Sequence, residues 1–199
     1  MKIVVGLGNP GQTYAETRHN LGFLAVEEFC RRKGLSWSGR ECRAITARGH
    51  AGGEALLVAR PQSYMNRSGE SVRCLLALCG AEPPDLLVVC DDAAIDLGTL
   101  RVRPSGSDGG HRGLRSIMES LGTGDFPRLR IGIRTAEVAE GDLAEQVLSP
   151  FLPGELEAAS EQASRAAECI GVVLERGIRA AMNAFNRRQP KDPRENPAC

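Results

Sequence analysis

Apolar residues fall along this chain in two alternating rhythms. Residues 3–7, 55–59 and 86–90 are short, unbroken apolar runs bounded by turn residues. That is the pattern of strands buried on both faces. Residues 100–103 and 129–133 alternate apolar side chains with Arg or Gly, which predicts strands with one wet face. Helical spacing fills the intervals. Residues 20–33 set Phe23, Val26 and Cys30 on one face and end at Gly34 as a C-cap. Residues 70–79 carry Val72, Leu75, Leu76 and Cys79 before Gly80, and residues 114–121 repeat at Leu114, Ile117, Met118 and Leu121 before Gly122. Pro153 opens a long helix reaching Arg176. Strands alternating with helices predict an α/β fold around a largely parallel sheet.

The chain has 199 residues, room for one domain or at most two, and a full-sized core. No clean boundary falls in residues 136–150, which are mixed and acidic rather than rich in Pro, Gly and Ser. The expected domain is 1–186. The tail from Arg187 to Cys199 holds three Pro and many charges and reads as flexible. Twenty-five basic residues balance 25 acidic ones, so any nucleic-acid binding must use a local basic patch. The Met-Lys start leads into an apolar run too short for a signal segment, and no run approaches the ~20 residues of a membrane span. Seven Cys without a C-x-x-C pair, and only three His, argue against a zinc site. Cys30, Cys74, Cys79 and Cys90 sit in apolar runs and read as small core residues. Free thiols fit the cytosol.

Gly6-Leu7-Gly8-Asn9-Pro10-Gly11 fits the dinucleotide signature G-x-G-x-x-G. Pro10 removes an N–H from the loop that would hold phosphate, and the residues after it lack an apolar period. A tight turn that presents Asn9 at a strand end explains the motif better, because α/β sheets place ligands there. His19 precedes a helix with Asn9 and Asn20 near it. It is either a general base or a packed helix-start residue. Tyr64-Met65-Asn66 offers apolar surface and an amide, or simply a polar loop whose Asn66 or Ser68 caps a helix. Asp91 and Asp92 end the most apolar strand, where a carboxylate could orient a His, cap a turn or hold a cation. Ser63 or Ser68 as a nucleophile lacks the G-x-S-x-G elbow. Around the loop from Ser105 to Gly113, residues 101–134 hold seven Arg, Arg103 and Arg112 among them, against three acids. A local charge of +4 is either a solvated face or a phosphate surface. Few aromatics are available for base stacking, so a reader of double-stranded RNA backbone fits better.

Together VGLGNPG with Tyr14, TRHN with Gly22-Phe23, PQSYMNRSG, the strand ending in Asp91, and GGHRGL followed by FPRLRIGI resemble bacterial peptidyl-tRNA hydrolases. The likeness runs from residue 1 to 186. It implies hydrolysis of the ester between a peptide and the tRNA 3′ end, recycling peptidyl-tRNA from stalled ribosomes. It also implies a monomeric cytoplasmic enzyme without metal or organic cofactor, built as one α/β domain with a twisted mixed sheet surrounded by helices. By motif position His19 corresponds to the catalytic base and Asp91 to its partner. Asn9 and Asn66 correspond to residues around substrate and water. Tyr14 and Met65, with Tyr64 beside it, correspond to contacts with the tRNA end and the peptide. His111 borders the same cleft, and Arg103 and Arg112 belong to the tRNA-facing set.

Three positions depart from the family pattern. Arg112 stands where Asn often follows Gly-Gly-His, Ala94 replaces an acid after the strand-end Asp pair, and Arg134 replaces a small residue. Arg112 and Ala94 motivate an alternative, an RNA-binding relative that has lost catalysis. A dinucleotide-dependent enzyme is the third reading.

Overall fold

In a computed structural model that describes residues 1–14, 17–135, 151 and 153–186, seven strands form one sheet in the order β2-β3-β4-β1-β5-β7-β6. They are β1 (Lys2–Gly6), β2 (Trp37–Glu41), β3 (Ala44–Ala51), β4 (Glu54–Pro61), β5 (Leu86–Asp96), β6 (Leu100–Arg103) and β7 (Arg128–Arg134). β1 runs parallel to β4 and β5, and β5 to β7, whereas β2–β3, β3–β4 and β6–β7 pair antiparallel. Five helices are described: α1 (Leu21–Lys33), α2 (Ser68–Cys79), α3 (Arg112–Leu121), α4 (Leu156–Arg176) and α5 (Ile178–Phe185).

The unbroken apolar runs follow from helices on both faces. Val4, Leu56, Val58, Leu87 and Val89 share a core with α1, α4 and α5. Their neighbours Ile3, Val5, Leu57, Ala59, Leu86 and Val88 share one with α2 and α3. Period-two alternation thus fills two apolar layers instead of one.

Four features differ from the sequence expectations. The β2–β3 hairpin escapes the apolar pattern because β2 (WSGRE) is a half-exposed edge strand with little hydrophobic signal. α5 follows α4 across Gly177, so one helical pattern contains a break. β7 has no wet face: it lies between β5 and β6, and Arg128 is fully buried in it. Cys74 is not a core residue; it is exposed on α2 and forms a disulfide with Cys42 in the β2–β3 turn. Residues 136–150 and the tail 187–199 lie outside the described residues.

Candidate active site

Glycines set the distance between the sheet and α1. A Cβ on Gly22 would fall 2.4 Å from the Leu7 carbonyl oxygen and 2.5 Å from that of Val89. One on Gly6 would fall 2.4 Å from the Gly22 carbonyl oxygen. The backbones touch, so the turn Arg18–Asn20 before α1 is pressed over the C-terminal ends of β1 and β5. The glycine motif therefore serves helix–strand packing, and the turn after β1 presents Asn9, as the sequence suggests.

Asn9 and Asn20 lock the two sides of that turn. The Asn9 N–H donates to Asn20 Oδ1 at 2.8 Å, and Asn20 Nδ2 donates back to the Asn9 carbonyl at 3.1 Å. Asn9 Oδ1 accepts from the Met65 N–H at 2.9 Å, which leaves Asn9 Nδ2 without a partner among the described residues. Met65 is buried, and the Ser68 hydroxyl donates to its carbonyl at 2.9 Å, so Ser68 closes a turn.

Between these asparagines His19, 6% exposed, meets Asp91, 1% exposed. Asp91 continues the Leu87–Val89 row on the α1 face. Its neighbour Asp92 instead accepts from Arg130 at 2.8 Å. His19 Nδ1 lies 2.7 Å from Asp91 Oδ1. His111 Nε2 lies 3.0 Å from the same oxygen. His111 is also the N-cap of α3, its Nδ1 accepting from the N–H groups of Gly113 (3.1 Å) and Leu114 (3.2 Å). This pattern assigns the tautomer: Nδ1 accepts, so Nε2 carries the proton and donates to Asp91. Since Asp91 is the acceptor, His19 donates from Nδ1 and keeps Nε2 as its basic nitrogen. His19 Nε2 has no partner among the described residues.

Burial opposes charge on Asp91, but the charge interactions and hydrogen bonds of His19 and His111 outweigh it and hold the carboxyl below the ordinary carboxylate range. Its Oδ2 is buried without a hydrogen-bond partner among the described residues. The carboxylate is therefore held through one oxygen by two imidazoles.

His19, Asp91 and His111 place their ligating atoms within 4.8 Å of one another, close enough to suggest a metal. The second nitrogen of His111 argues otherwise. A metal on Nε2 would move the proton to Nδ1, where two backbone N–H groups already point. The donor set fits a hydrogen-bonded base better than a cation.

Tyr14 is half-buried, and its carbonyl accepts from the Thr17 hydroxyl at 2.8 Å. Tyr64 is 61% exposed. The Asn66 and Arg112 side chains are exposed and make no hydrogen bond among the described residues. The Arg patch is narrower than its composition suggests. Arg128 is buried and its guanidinium bonds the carbonyls of Gly106, Ser107, Gly124 and Phe126. Arg115, Arg130 and Arg134 pair with Asp108, Asp92 and Asp96. Arg101 and Arg103 stay uncommitted among the described residues and, with Arg128 and Arg130, line a cavity of about 220 Å³. Sequence reasoning placed His111 at the cleft but missed its bond to Asp91. The available signal was a His directly before a helical pattern, in the N-cap position.

Comparison with known proteins points to one family. The sequence profile of the peptidyl-tRNA hydrolase family matches residues 3–193. A peptidyl-tRNA hydrolase of Desulforudis audaxviator is 42% identical over 186 residues, covering 94% of this chain and 93% of that protein. One from Roseiflexus castenholzii is 45% identical over 192 residues, covering 96% and 89%. The crystal structure of the Acinetobacter baumannii peptidyl-tRNA hydrolase is similar with a TM-score of 0.85 at 32% identity, covering 94% of each chain.

Proposed function

The chain belongs to the peptidyl-tRNA hydrolase family and hydrolyses peptidyl-tRNA; we propose that His19, oriented by Asp91, is the general base of that hydrolysis. The carrying observation is the buried 2.7 Å bond from His19 Nδ1 to Asp91 Oδ1, which commits one ring nitrogen and leaves Nε2 to act on water. Water gives its proton to Nε2 as its oxygen attacks the ester carbonyl. Asp91 stabilises the imidazolium that forms. Asn9 Nδ2 and the Asn66 amide are the donors for the developing oxyanion. Collapse breaks the bond to the ribose 3′ oxygen, and the imidazolium returns its proton to that oxygen. An ester's leaving group needs no covalent nucleophile.

Tyr14, Tyr64 and Met65 are assigned to the tRNA end and the peptide. Arg103 and Arg112, with Arg101, face backbone phosphates. None of the departures from the family pattern hydrogen-bonds His19 or Asp91 among the described residues. Ala94 and Arg112 are exposed, and Arg134 is engaged with Asp96 at the surface. This supports an active enzyme over a binding-only relative. We assign the action to a monomer in the cytoplasm. No helix among the described residues is long and apolar enough to cross a membrane.

The test is release of the amino acid from N-acetyl-aminoacyl-tRNA, with unblocked aminoacyl-tRNA as control. Cleavage of the blocked substrate alone is expected. A folded protein that binds tRNA and cleaves neither would overturn the catalytic reading in favour of RNA binding.

A further inference from the structure

The turn between β2 and β3 holds two residues, Cys42 (φ 52°) and Arg43 (φ 56°), both in the left-handed region that residues with a Cβ disfavour. Such a turn needs outside restraint. Arg43 supplies part of it: its carbonyl accepts from the Gln62 N–H at 2.7 Å, and its guanidinium reaches Glu70 at 2.9 Å. That ion pair is exposed, and exposed pairs hold little. The firm restraint is the disulfide from Cys42 to Cys74, one turn beyond Glu70 on α2, with 5.5 Å between the Cα atoms.

What lies between the two stapled elements is the loop that carries Tyr64, Met65 and Asn66. It is fastened at one end by the Gln62–Arg43 bond. At the other, Arg67 donates to Glu70 at 2.9 and 3.1 Å. The loop is tied to the catalytic turn by the Met65–Asn9 bond.

We propose that Cys42 and Cys74 are a reversible dithiol–disulfide site, taking small-molecule or protein disulfides as oxidant, that sets the order of residues 62–67 and so the affinity for peptidyl-tRNA. The affinity part rests on the functional reading above. Accessibility separates this pair from Cys30, Cys90 and Cys169, and the bond itself separates it from Cys79, which is half-buried but unpaired among the described residues. Cys74 is exposed and Cys42 half-buried, so small thiols reach them. Cys30, Cys90 and Cys169 are buried, and burial pushes the Cys30 and Cys169 thiols up to about 12. In a thiol-rich cytoplasm such a bond is expected to be transient and sensing rather than permanent.

The exchange balances. The Cys74 thiolate attacks oxidised glutathione and expels one glutathione thiolate. The Cys42 thiolate then attacks the mixed disulfide at the Cys74 sulfur and expels the second. Two electrons pass from the protein to glutathione, and the two thiol protons end on the released glutathione.

The experiment equilibrates the full chain with reduced or oxidised glutathione and reads three quantities. Mass after alkylation should show Cys42 and Cys74 blocked only in the oxidised sample. Amide exchange over residues 62–67 should be faster in the reduced sample. KM should be about three- to tenfold higher when reduced, the cost of ordering a few loop residues on binding, with kcat within about twofold. Cys42→Ser and Cys74→Ser should show the reduced KM and exchange rate in both buffers. The inference fails if both cysteines stay alkylated in oxidised glutathione, or if exchange over 62–67 does not differ between the states. It fails equally if KM is the same in both while hydrolysis proceeds. Absent hydrolysis with a state-dependent exchange rate would sink the functional reading and leave the redox site standing.

Discussion

Two imidazoles converge on one oxygen of Asp91, so the ionised carboxylate holds the His19 base and the first turn of α3 together. Folding lowers the affinity of this carboxyl for protons, because the imidazoles outweigh the burial penalty. A group depressed in the folded state adds stability that is present above its unfolded value of about 3.9 and is lost as pH falls towards the folded one. Asp91→Asn should therefore melt below wild type at pH 7 and approach it as the pH drops through the acid range, with the rate down by on the order of 10²-fold or more. Circular-dichroism melts from pH 7 to pH 2 check this, the gap closing below about pH 3.9; a gap of constant size down to pH 2 would contradict it. At this scale the sequence shows that an Asp pair ends a strand but not which member counts. Only the strand's register puts Asp91 in the Val89 row and turns Asp92 towards Arg130. The partner of His111 is equally hidden, because 20 residues of chain separate it from Asp91.

At the scale of elements, the site depends on how closely α1 lies on β1 and β5. Gly22→Ala would press a methyl against two carbonyl oxygens at 2.4 and 2.5 Å, neither of which a rotamer change can move. The helix must lift, at a cost of about 1–3 kcal/mol, carrying the His19 turn with it. The expected result is a lower Tm together with a lower kcat measured well below that Tm; an unchanged kcat would show that the helix position does not set the base. Elements were legible where burial was complete. β1, β4 and β5 stand out as apolar runs because helices cover both faces, and α1 to α3 carry their own glycine stops at Gly34, Gly80 and Gly122. β2 and β3 are not, since β2 is a half-exposed edge strand and β3 beside it exposes Arg48 and His50, so neither carries a clear apolar pattern. β7 misled because Arg128 and Arg130 read as solvent-facing, whereas loop carbonyls and Asp92 satisfy them inside the fold.

For the molecule as a whole, zero net charge leaves tRNA attraction to a few side chains. Ion pairs and loop carbonyls take up four of the seven Arg of the patch, and Arg101 and Arg103 beside the 220 Å³ cavity, with Arg112, remain for phosphate. KM should therefore rise with salt, and Arg103→Ala should reduce the slope of log KM against log salt by about one. An unchanged slope would remove Arg103 from the interface. The central claim is narrower: His19 Nε2 takes the proton from the attacking water. It is tested most directly by the single-turnover rate on N-acetyl-aminoacyl-tRNA at saturating enzyme, wild type against His19→Ala. The expected result is a loss on the order of 10²–10⁴ with tRNA binding retained. A folded His19→Ala protein that cleaves at the wild-type rate would show that the base lies elsewhere.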